Sequence, residues 1–124
     1  MSASPQVLVL SIDPTLGRLV QLNLERRGFV VQQHRWAACC GLGEAPRSCA
    51  ADLIVADLDC PSPVCWNGAP QLRAVFGQHP LLLLAHERPS APYLQAHQPC
   101  QTLQKPFAVD ELVRAVNRLL LMAH

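Results

Sequence analysis

The segment Asp52-Leu53-Ile54-Val55-Ala56-Asp57-Leu58-Asp59-Cys60-Pro61 constrains this chain more than any other. It begins polar, runs apolar through Leu53-Ile54-Val55-Ala56, and then places two carboxylates near its end. Pro61 closes it, because proline has no N–H to give a sheet ladder. A short apolar run bounded by turn residues reads as a buried strand. With no polar alternation, it belongs in a parallel sheet covered on both faces. In open α/β sheets, ligands and chemistry gather beyond the carboxyl ends of the strands. Asp57 and Asp59 fall at that end. The plainer alternative is that both are loop carboxylates just outside a core strand.

The rest of the chain repeats the theme. Val7-Leu8-Val9-Leu10 is a second buried run, ending at Ser11-Ile12-Asp13-Pro14. Asp13 followed by Pro14 has the form of a helix N-cap with proline in the first turn. Leu16, Leu19, Val20, Leu22 and Leu24 then recur mostly at helical spacing as far as Arg26-Arg27-Gly28, which reads as a C-terminal cap. Phe29-Val30-Val31-Gln32-Gln33 is the next strand. Residues 35–51 suggest a short or broken helix, because Gly41, Gly43 and Pro46 cut it. After an irregular proline-containing loop, a helix is expected over 69–77. Leu81-Leu82-Leu83-Leu84-Ala85 is the fourth strand. Three prolines within 86–100 shorten the helix expected there. Thr102-Leu103-Gln104 is a fifth strand, ended by Lys105-Pro106-Phe107. Leu112, Val113, Val116, Leu119 and Leu120 define the last helix, with Asp110 and Glu111 in its first turn. Strands alternating with helices predict a five-stranded parallel sheet built from right-handed crossovers, of flavodoxin-like (βα)5 form.

Composition narrows the function classes. A chain of 124 residues suits one domain, spanning 1–124, with a real core. The formal net charge of +1 excludes a strongly basic nucleic-acid module. The six cysteines show neither a CxxC pair nor Cys/His zinc spacing. No signal peptide and no stretch of transmembrane length is present in the sequence, so a cytoplasmic protein with reduced thiols and no membrane or direct nucleic-acid partner is expected. The sequence contains no GxGxxG, GxxxxGK[ST] or GxSxG motif, which argues against a nucleotide-binding protein or an α/β hydrolase.

In this order the sequence resembles the response-regulator receiver family of two-component signalling. The resemblance covers nearly the whole chain. It rests on the apolar run before Asp13-Pro14, the DLIVADLDCP segment, the apolar run after Pro80, and Lys105-Pro106-Phe107 before an amphipathic last helix. It implies that a histidine kinase phosphorylates an aspartate at the end of the third strand, using magnesium. Asp57 matches the phosphoacceptor and Lys105 the lysine that neutralises phosphoryl charge. Asp59 matches the position that offers magnesium a backbone carbonyl. The proline after that lysine commonly follows a cis peptide in this family.

Three departures stand out. The family's acidic pair falls on Ser11 and Ile12, and Ile12 has no oxygen for a hard cation. Asp13 lies one position late, so its expected role is the helix cap, with magnesium ligation as the alternative. The hydroxyl position ending the fourth strand falls on Ala85, and the switch aromatic of the fifth strand on Thr102. A metal set drawn from Asp13, Asp57 and Asp59 is therefore expected to hold magnesium weakly or not at all. The leading reading is an atypical receiver that is not itself an enzyme and acts through protein–protein interaction. The rival is a receiver that still accepts phosphate on Asp57. Lys105 has its own plain alternative, a stabilising ion pair with Asp57. His86 is expected to be a solvated loop residue, Cys60 a small hydrophobe, and Trp36 or Trp66 a core residue rather than an interface anchor. Partners implied are a histidine kinase, another receiver or an output domain. The chain ends just past its last helix, so no output domain is expected within it. Leu119, Leu120, Leu121 and Met122 make a candidate homodimer face.

Overall fold

The computed structural model describes residues 4–11, 13–35, 51–57, 79–86 and 100–122. The helices expected within 35–51, 69–77 and 86–100 lie outside these residues, as do Ile12, Trp36, Asp59, Cys60, Trp66 and Tyr93. The described elements are β1 (Gln6–Ser11), α1 (Pro14–Glu25), β2 (Val30–Arg35), β3 (Leu53–Asp57), β4 (Leu81–Ala85), β5 (Cys100–Gln104) and α2 (Val109–Met122). All strand pairs are parallel, and the sheet order is β2-β1-β3-β4-β5. This is the doubly wound, flavodoxin-like arrangement that the alternation of apolar runs predicts.

Strand bounds shift slightly from the sequence expectation. β2 runs to Arg35, since Gln32 to Arg35 keep pairing with β1 although they are polar. As the edge strand, β2 need not be apolar on every side. β5 begins at Cys100, because Cys100 and Gln101 pair with Leu81 and Leu82. The three central strands carry the apolar residues. Every residue of β3 and β4 is buried.

The core forms where one sheet face meets the two helices. Val7, Val9, Leu53, Val55, Leu82, Leu84 and Leu103 alternate along their strands and meet Val20 and Leu24 of α1 and Leu112, Val116 and Leu119 of α2. Each such side chain, fully buried, contributes about 1.5–3 kcal/mol of hydrophobic stabilisation. The opposite face, with Leu8, Leu10, Ile54, Leu81 and Leu83, is equally buried.

Local signals set the helix ends. Asp13 caps α1, its Oδ1 accepting from the N–H groups of Thr15 at 2.9 Å and Leu16 at 3.3 Å. Pro14 fills the first turn, where its missing N–H costs nothing. The helix closes one residue earlier than Arg26-Arg27 suggest: Arg26 is the C-cap, and Gly28 takes the left-handed turn at φ 92°. At α2, Glu111 Oε1 accepts from the Ala108 N–H at 3.0 Å, half of a capping box.

The residues expected to form a homodimer face differ in exposure. Leu119 is fully buried against the sheet, and Leu120 packs partly on the core. The helical repeat turns both inward, whereas Leu121 is 78% exposed; the Met122 side chain lies outside the described residues. No described helix is long and apolar enough to cross a membrane.

Candidate functional site

Strand order places the candidate site. The chain passes from β1 outward to β2 and then back across β1 to β3, so connections leave these two neighbours toward opposite sides. Such a reversal opens a crevice at the carboxyl ends of the strands. Ser11 ends β1, Asp57 ends β3, and Lys105 follows β5 directly.

Sheet register brings the first two together. Val7 pairs with Leu53, Val9 with Val55 and Leu10 with Ala56. One step further along, Ser11 faces Asp57, and both point to the same side of the sheet as Val9 and Val55. The Ser11 hydroxyl lies 3.4 Å from Asp57 Oδ2. Both residues are buried, Asp57 at 3% exposure and Ser11 at 5%.

Lys105 reaches the same carboxylate from the far side of β4. Its Nζ donates to Asp57 Oδ1 at 2.7 Å, and the lysine side chain is itself 13% exposed. A charge-assisted bond of that length is a strong one. The lysine main chain is tied to the end of β4, with the Lys105 N–H donating to the Ala85 carbonyl at 2.9 Å. The Lys105–Pro106 peptide is cis. Thus the two oxygens of Asp57 are divided, one to a cation and one to a hydroxyl.

Asp13 sits at the edge of this group. Its carboxylate is turned to the start of α1, the role expected of it as a cap. Its main chain is bound to Ser11, the Asp13 N–H donating to Ser11 Oγ at 3.0 Å. Ser11 Oγ in turn lies 3.1 Å from the Asp13 carbonyl. Asp59, the other expected contributor, lies outside the described residues. Among the described residues, no three or more His, Cys, Asp or Glu side chains converge as a metal cradle.

Ala85, Thr102 and His86 lie among the described residues. Ala85 ends β4, is buried, and carries no hydroxyl. Thr102, half-buried, stands in the middle of β5 opposite Leu83. His86 is exposed, and its carbonyl accepts from Gln104 Nε2 at 3.1 Å. Ser11 is the residue sequence reasoning undervalued. The resemblance makes it a lost metal position, whereas in the structure it is a hydrogen-bonding partner of Asp57. Ser11 follows Val7 by the same interval that separates Asp57 from Leu53, and the pairing of Val7 with Leu53 is what brings the two together.

No family model and no curated protein matches this chain. Solved structures do resemble it. The chemotaxis protein CheY4 of Vibrio cholerae is 21% identical, with 94% of this chain and 99% of that one covered at a TM-score of 0.76. The receiver domain of the Francisella response regulator 1452 is 21% identical, covering 98% and 100% at a TM-score of 0.72. A response-regulator receiver domain protein from Clostridium thermocellum is 17% identical, covering 96% of each chain at a TM-score of 0.76. With its five parallel strands in the same doubly wound order and Asp57 at the end of β3, this chain has the fold of a response-regulator receiver domain.

Proposed function

We propose that this protein is an atypical receiver of a two-component or phosphorelay pathway, acting mainly through protein–protein interaction. The observation that carries this reading is the composition of the carboxylate pocket. Asp57 and Lys105 are held together at 2.7 Å, while β1 ends in Ser11 rather than a carboxylate and β4 ends in Ala85. A phosphoryl group moves to a carboxylate only when its charge is neutralised on the way. Lys105 can supply part of that neutralisation.

Magnesium would supply the other part, and the described donors suit it poorly. A small hard cation wants near-octahedral oxygen coordination with carboxylates. Asp57 already bonds Lys105 through Oδ1, Ser11 offers a neutral hydroxyl, and Asp13 Oδ1 is engaged by two helix N–H groups. Asp57 in this reading is a poor acceptor, and its phosphate state has little grip on Ala85 and Thr102. The partners are a histidine kinase or another signalling protein.

A second reading keeps Asp57 as a working acceptor. What favours it is the Asp57–Lys105 geometry itself, which leaves a buried carboxylate beside a cation at a strand end. Magnesium titration, followed by amide chemical shifts of the whole chain, separates the two. Millimolar or weaker binding that is unchanged by Asp57→Asn supports the atypical receiver. Tight binding lost in Asp57→Asn supports the working acceptor.

A further inference from the structure

We infer that Ser11 is a positioning residue that couples the state of Asp57 to the first turn of α1. The idea goes beyond the proposed function and does not require Asp57 to accept phosphate.

A serine hydroxyl has one proton to give and two lone pairs to receive. One lone pair takes the Asp13 N–H at 3.0 Å. The single proton has two acceptors within reach, the Asp13 carbonyl at 3.1 Å and Asp57 Oδ2 at 3.4 Å. It can be given fully to one of them at a time. The carbonyl is nearer, while the carboxylate is the stronger acceptor for its charge. Neither acceptor dominates, so a change in charge at Asp57 decides where the proton goes.

What lies beyond the Asp13 carbonyl makes that choice matter. The same carbonyl accepts from the Gly17 N–H at 3.0 Å, the first hydrogen bond of α1. The carboxylate of the same residue caps Thr15 and Leu16. Ser11 therefore holds both main-chain groups of the residue on which the first turn of α1 hangs. Gly17 in turn packs against the side chain of Gln33 on β2, so a shift of this turn reaches the sheet edge. A sequence of hydrogen bonds connects Asp57 Oδ2 to α1 with one hydroxyl as the movable part. This route lies on the opposite side of Asp57 from Ala85 and Thr102.

The test uses amide spectra of the whole chain. Asp57→Asn removes the charge but keeps the shape of the carboxylate, and it is compared in three backgrounds: Ser11, Ser11→Ala and Ser11→Thr. In the Ser11 background, Asp57→Asn is expected to shift the Thr15, Leu16 and Gly17 amides and change their hydrogen-exchange rates. In Ser11→Ala those responses are lost, and in Ser11→Thr, which restores a hydroxyl, they return. Equal responses at Thr15, Leu16 and Gly17 with and without the hydroxyl overturn the inference, as does no response in the Ser11 background. If Ser11→Ala does not fold, Ser11→Cys, of similar size and with a weak donor, takes its place with the same two outcomes. Phosphorylation does not enter the measurement, so its result stands apart from the proposed function.

Discussion

Lys105 and Asp57 form an ion pair across two strand positions: β4 lies between their strands, yet Nζ and Oδ1 are 2.7 Å apart. Adjacent strands are about 4.8 Å apart, so roughly 10 Å of sheet separates the two main chains, a span closed by the lysine stem, the aspartate side chain and the bond between them together. Ala85, ending β4 between them, is small and ties down the lysine main chain through its carbonyl. The pair closes the carboxyl edge of the sheet over β4.

That pair should be strongly non-additive. Lys105→Met takes the cation from a carboxylate that is 3% exposed, and breaking such a pair costs about 3 kcal/mol. Asp57→Asn should cost less, because the lysine is the more exposed partner and its flexible stem can reach water. The double variant is expected to fall well short of the sum, with a coupling of roughly 2 kcal/mol in urea unfolding. Additive losses would show that the two groups do not stabilise one another.

Asp13 offers a cleaner separation of structure from chemistry. Its carboxylate caps two helix N–H groups. Asp13→Ala should therefore lose about 1 kcal/mol of stability, while Asp13→Asn, an equally good cap, should lose almost none. If Asp13 instead serves mainly as a metal ligand, Asp13→Asn will change magnesium binding and Asp13→Ala will leave stability alone.

Gly17 tests the packing of α1 on β2. A methyl group there would meet the end of the Gln33 side chain. Alanine gains up to about 1 kcal/mol over glycine inside a helix. Gly17→Ala alone should show little of that gain, since Gln33 must move aside. In a Gln33→Ala background the same substitution should stabilise the protein by about 0.5–1 kcal/mol, read from chemical denaturation midpoints. The same value in both backgrounds would mean that Gln33 does not restrict this face.

How much of this was legible in the sequence depends on the type of signal. β3 and β4 were readable because a buried parallel strand is apolar without interruption, and the start of α1 because Asp13-Pro14 is a strong local cap signal. The last two residues of β2, His34 and Arg35, were not, because edge-strand pairing adds main-chain hydrogen bonds that leave no mark in side-chain pattern. The inward turn of Leu119 follows from which helix face meets the sheet, a tertiary fact. Asp57 with Lys105 was legible through motif and resemblance. Ser11 was not, because its role comes from a register between β1 and β3, strands separated by more than forty residues.

The most direct test of the account is intact mass after incubation with a small phosphodonor, with and without magnesium, beside an Asp57→Asn control. The account predicts little or no gain of phosphate, and no increase when magnesium is added. A stoichiometric, magnesium-dependent gain that disappears in Asp57→Asn would contradict it and make Asp57 a working phosphoacceptor despite Ser11 and Ala85.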